Sequence, residues 1–92
     1  MAYRNRNQQI RDEQRALPAA EASLAATTAL YDVLEDALGD YLNVGKDAPL
    51  EARCAAEIAR DVIDRMGNLM VEYGNDVEYR TELIARLQEQ VA

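Results

Sequence analysis

The chain has 92 residues, of which 49% are hydrophobic and 29% charged, enough for one small folded domain and too apolar for a disordered segment. It contains no histidine, phenylalanine or tryptophan and a single cysteine, so histidine-based acid–base catalysis, the usual His-assisted nucleophiles and His-ligated zinc are excluded, as is an internal disulfide. The net charge of −7 is uneven: residues 1 to 16 carry four arginines against two acids (4 − 2 = +2), and the remainder six basic against 15 acidic side chains (6 − 15 = −9).

A main body this acidic repels phosphate backbones, so no direct nucleic-acid binding is expected and any partner is more naturally a basic protein surface. The opening stretch Met1-Ala2-Tyr3-Arg4-Asn5-Arg6 is too polar for a signal peptide, and no apolar run approaches the roughly 20 residues of a membrane span. With one unpaired cysteine, the expected setting is the cytoplasm, away from membranes.

In chain order, Pro18 predicts the end of a short first helix or arm over residues 1–17, starting near Arg6, with Ile10 and Leu17 as its large apolar groups beside Tyr3. Residues 18–44 predict a long helix. Leu17, Leu24, Tyr31 and Leu38 recur every seven residues, and Ala20, Thr27, Leu34 and Tyr41 lie three further on, which is the seam of a helix packed lengthwise on another. Leu30, Val33, Ala37 and Leu42 form a second apolar row, so more than one neighbour is expected. Gly45 reads as a C-terminal stop.

Asp47-Ala48-Pro49 reads as the start of a second long helix, 47–73, with a stripe of Leu50, Cys54, Ile58, Val62, Met66, Leu69 and Tyr73. Tyr73-Gly74-Asn75-Asp76 interrupts the pattern. Asn75 and Glu78 form a capping-box pair opening a last helix, 75–91, supported by an Asp76–Arg80 pair at i,i+4, although a kinked continuation satisfies the same residues. The expected fold is all-α: residues 1–92 as one domain, an elongated antiparallel helical hairpin or bundle of three to four helices. Two helices of about 25 residues would each run about 37 Å, longer than a compact globule of this size is wide. A core without large aromatics is thin, and self-association is the ordinary remedy.

No motif for chemistry emerges. The four glycines are scattered singly, the chain has no histidine to make a triad with Ser23, and Cys54 lies on an apolar stripe with no base to activate it. No metal or cofactor is expected, since carboxylate-bridged helical metal sites use Glu-x-x-His pairs. The clearest charged cluster is Asp32, Glu35, Asp36 and Asp40, at i, i+3, i+4 and i+8 on the face opposite the leucine seam. A solvated face is its plain reading and a docking surface for a basic partner its functional one. Alternating signs from Arg53 to Arg65 read as a solvated helix face. Tyr79 is a candidate interface residue, and Tyr3, Arg4 and Arg6 form an arm that could contact another subunit or hold a small anionic ligand.

In size and charge the chain is similar to acidic helical immunity proteins, antitoxins and phage-encoded inhibitors, a likeness of composition. It implies a small non-enzymatic inhibitor or adaptor that binds a basic surface, including one that itself binds nucleic acid. The competing readings are a structural subunit of a helical homo-oligomer, and an oligomer sequestering an anion through its N-terminal arginines.

Overall fold

The computed structural model describes residues 5–91. Two helices account for nearly all of them: α1 (Arg6–Leu42) of 37 residues and α2 (Leu50–Val91) of 42, with no strand among the described residues. The all-α expectation and the two long helices hold, whereas the count of three to four helices does not, because neither Pro18 nor Gly74 ends a helix. By contacts the chain divides into two compact units, Ala26–Val71 and Met1–Ala25 with Glu72–Ala92.

The start of α1 is set by Asn5. Its Oδ1 accepts the Gln8 backbone N–H at 2.8 Å, which satisfies one of the orphan donors of the first turn, while its carbonyl accepts the Gln9 N–H at 3.0 Å as the first bond of the helix. From there α1 continues through Pro18, although proline removes one backbone hydrogen bond and strains the preceding turn by about 3 kcal/mol. Pro18 and Gln14, whose carbonyl loses its donor, are both exposed, so water can serve that carbonyl. The seam on either side holds the helix together: Ile10 is buried and Leu17, Ala20 and Leu24 are half-buried on one side of α1.

In the unit 26–71 the helices form an antiparallel hairpin. α1 ends at Leu42, and the seven residues 43–49 reverse the chain through a turn in which Ala48 N–H donates to the Gly45 carbonyl at 3.1 Å. Gly45 is not left-handed, so it is a turn residue rather than the expected helix stop. α2 opens one residue after Pro49, whose carbonyl accepts the Arg53 N–H at 3.1 Å. On α1, Tyr31, Leu34 and Leu38 are half-buried and Thr27 buried, as the seven-residue repeat predicts, but Tyr41 is 56% exposed.

On α2 the buried stripe is not the expected one. Ala56 and Ala59 are 3% and 4% exposed and Ile63 is buried beside them, whereas Leu50, Cys54, Ile58, Leu69 and Tyr73 are exposed. Of the expected stripe only Val62 and Met66 are half-buried. Alanine wins this face because its short side chain lets two helix backbones approach closely and gather many dispersion contacts, which a row of Leu and Ile would hold apart. Gly67 takes this further: a Cβ there would lie 3.4 Å from the Tyr31 ring, so the ring packs into the space a side chain would occupy.

In the unit of residues 1–25 and 72–92, α2 runs unbroken through Tyr73-Gly74-Asn75. The glycine costs about 1 kcal/mol of helix propensity, but Leu24 Cδ1 lies 3.9 Å from where its Cβ would be, so the gap is filled from α1. Ile10, Ile84 and Leu87 form the buried apolar part of this unit. Between the helices Arg80 donates to Glu13 Oε2 at 2.8 Å and to Asp76 Oδ2 at 3.2 Å, the second being the expected i,i+4 pair. The Arg80 guanidinium is held above its ordinary range, first by the Asp76 hydrogen bond and then by that of Glu13.

Candidate interaction surfaces

Three surfaces of the unit 26–71 carry distinct chemistry, and the helical period sorts them. The carboxylates Asp32, Glu35, Asp36 and Asp40 are all exposed; Asp32, Asp36 and Asp40 lie on the side of α1 away from its buried seam, and Glu35, between Tyr31 and Leu38 at helical spacing, stands at the edge of that seam. Residues 26–42 contain no basic side chain, so this stretch of α1 is uniformly negative. Like charges at these spacings repel by a few tenths of a kcal/mol per pair, which the leucine seam beneath readily outweighs.

Beside the acids runs an apolar row. Leu30, Val33, Ala37 and Tyr41 follow one another at three- and four-residue intervals on α1, and all are exposed. This is the second row expected from the sequence, with Tyr41 in place of the half-buried Leu42. On α2 Ile58 is 66% exposed and Val62 half-buried, with Leu69 continuing their row. The two rows lie on one side of the hairpin, because Leu38 and Tyr41 of α1 line an open groove of about 320 Å³ with Ala55, Ile58, Ala59 and Val62 of α2. No charged side chain lines that groove.

A third surface is basic in part. Lys46 from the turn, with Arg53 and Arg60 from one side of α2, surrounds a shallow depression of about 300 Å³ together with Val44, Gly45, Ala56 and Glu57. Sequence spacing places Arg53 and Arg60 seven apart, but only the turn brings Lys46 to them. Further along α2, Arg65 pairs with Asp61 at 3.1 Å on an exposed face, as charge alternation implies.

Of the other residues singled out in the sequence, Tyr79 is 58% exposed, in the unit that holds residues 72–92. Arg6 is exposed in the first turn of α1, and Tyr3 and Arg4 lie outside the described residues. Tyr41 and Tyr73, both on expected apolar stripes, are 56% and 37% exposed. Among the described residues no group of three or more His, Cys, Asp or Glu side chains is arranged to hold a metal ion, and no helix is long and apolar enough to cross a membrane.

No family model matches this chain, and comparison with curated proteins and with solved structures finds no match.

Proposed function

We propose that the chain acts without catalysis, as a helical module that binds protein: an acidic inhibitor or adaptor whose Asp32, Glu35, Asp36 and Asp40 row meets a basic surface, including one that otherwise contacts nucleic acid. The observation that carries this reading is that four exposed carboxylates stand on a helix segment devoid of compensating cations, next to an exposed apolar row on the same segment. Charge of this kind mainly speeds encounter and selects the partner's sign, while neighbouring apolar side chains supply affinity. The reading that the chain is a subunit of a helical assembly is favoured by a different observation, the exposed groove of Tyr41 and Ile58, and the two are compatible because none of the acids lines the groove.

The test is capture from the native host with the unsubstituted chain and the Asp36→Lys, Asp40→Lys double variant as baits, at low and high salt. A protein retained at low salt, released at high salt and lost from the variant supports the reading. Equal retention by both baits, or no retained protein at low salt, overturns it.

A further inference from the structure

The exposed groove poses a packing problem within the unit 26–71 taken by itself. Among the described residues no side chain is completely buried, and the nearest to it, Ala56 and Ala59, are among the smallest. Leu30, Val33, Tyr41, Ile58 and Leu69 meanwhile expose on the order of 500 Å², against roughly 800 Å² per partner in a standard protein interface. The exposed alanines Ala26, Ala29 and Ala37 adjoin the same row and add to its apolar area. A patch of this size is comparable to the largest that ordinary monomers leave uncovered.

The chemistry of the face selects its occupant. A basic partner needs carboxylates at the contact, whereas the groove is lined by uncharged side chains alone, with Asp40, seven residues after Val33, at the margin of the face. Two copies of a chain with net charge −7 can therefore meet here without opposing carboxylates at the centre of the contact. The face is also built of two antiparallel helices bearing matching rows at the helical period. Turning such a face by a two-fold axis sets the α1 row of one hairpin on the α2 row of the other, which makes the contact self-complementary.

We propose that the Leu30, Val33, Tyr41 and Ile58 face is covered by a second copy of the chain, so that two hairpins close a four-helix bundle with the acidic rows outward. The inference does not rest on the protein-binding reading above: the dimer covers the apolar row beside the acids and leaves only the carboxylates for another partner. Ile58 and Val33 become core residues of the bundle, and a charge placed at either is buried without a counter-ion.

The experiment is sedimentation equilibrium of the full chain at about 1 to 100 µM, with Ile58→Glu, Val33→Glu and, as a control that adds the same charge off the face, Asn68→Glu. The expected result is twice the 10.3 kDa chain mass for the unsubstituted protein and for Asn68→Glu, with association weakened at least about tenfold in both face variants. A mass of 10.3 kDa at every concentration, a mass other than two copies, or a dimer indifferent to both face substitutions overturns the inference. Should the glutamates prevent folding, as circular dichroism would reveal, the unsubstituted chain still decides the matter. Its melting temperature must rise with protein concentration, and a melting temperature independent of concentration is contrary to the bundle. A monomer that still captures a basic protein refutes this inference alone, and a dimer that captures none refutes only the acidic-face reading.

Discussion

Three glycines inside these helices have different surroundings. At Gly39 nothing lies within 4 Å of where a Cβ would be, whereas at Gly67 the Tyr31 ring stands at 3.4 Å and at Gly74 Leu24 at 3.9 Å. Gly39→Ala should therefore stabilise the chain by about 0.5–1 kcal/mol through helix propensity, as read by urea denaturation. Gly67→Ala should gain less, since the same propensity is offset by crowding of the ring. A larger gain at Gly67 than at Gly39 would mean that the Tyr31 ring does not occupy that space.

Arg80 illustrates a different residue-scale effect. Its partner Glu13 falls on the seven-residue register that includes Ala20 and Thr27, so the pair replaces an apolar contact in the seam with a directional one. Because the guanidinium is pushed upward from an already high range, it stays charged at every working pH and titrates only in strong alkali, so Arg80 itself adds no pH switch near neutrality.

At the level of the helix, α1 and α2 differed in how plainly their buried face could be read. On α1 the seven-residue recurrence of Leu17, Leu24, Tyr31 and Leu38 has no rival of equal strength, and these residues do face the partner helix. On α2 two stripes satisfy the same period: a row of large apolar residues, Leu50 to Tyr73, and a row containing Ala56, Ala59 and Ile63. Ranking by hydrophobicity selects the first, but close helix approach selects the second, and nothing in one isolated helix weighs those against each other. The breaks expected at Pro18 and Gly74 failed for a related reason. Both are local penalties of about 1 to 3 kcal/mol, and contacts distant in sequence, such as Leu24 at Gly74, decide whether the helix absorbs them. The Asn5 cap was legible in principle, because Asn5 and Gln8 have the same capping-box spacing as Asn75 and Glu78.

The alanine face gives a direct prediction. Ala59→Leu should destabilise the chain by about 1–3 kcal/mol in a denaturant titration, because Ala59 is only 4% exposed and a larger side chain there must push the helices apart or take a strained rotamer. Cys54→Leu, at an exposed position, should change stability by less than about 0.5 kcal/mol. The reverse ordering would place the buried face of α2 where the larger residues lie.

For the molecule as a whole, composition and function are connected through what the helices leave uncovered. Absence of Phe and Trp and abundance of alanine make helix contacts close but shallow, and the surplus Leu, Val, Ile and Tyr side chains then remain on the outside. A net charge of −7 disfavours non-specific association, while the groove itself carries no charge to oppose a specific one. The candidate acidic row was legible from spacing alone, whereas the groove required the turn at residues 43–49 to bring Tyr41 beside Ile58.

Hydroxyl-radical footprinting read by mass spectrometry, residue by residue across a concentration series, tests this most directly. Tyr41, Ile58 and Leu30 should be oxidised in dilute protein and become protected as concentration rises, while exposed Tyr79 stays reactive throughout. Reactivity of Tyr41 and Ile58 that never changes with concentration, or protection that appears at Tyr79 instead, would contradict the assignment of this face as the contact surface.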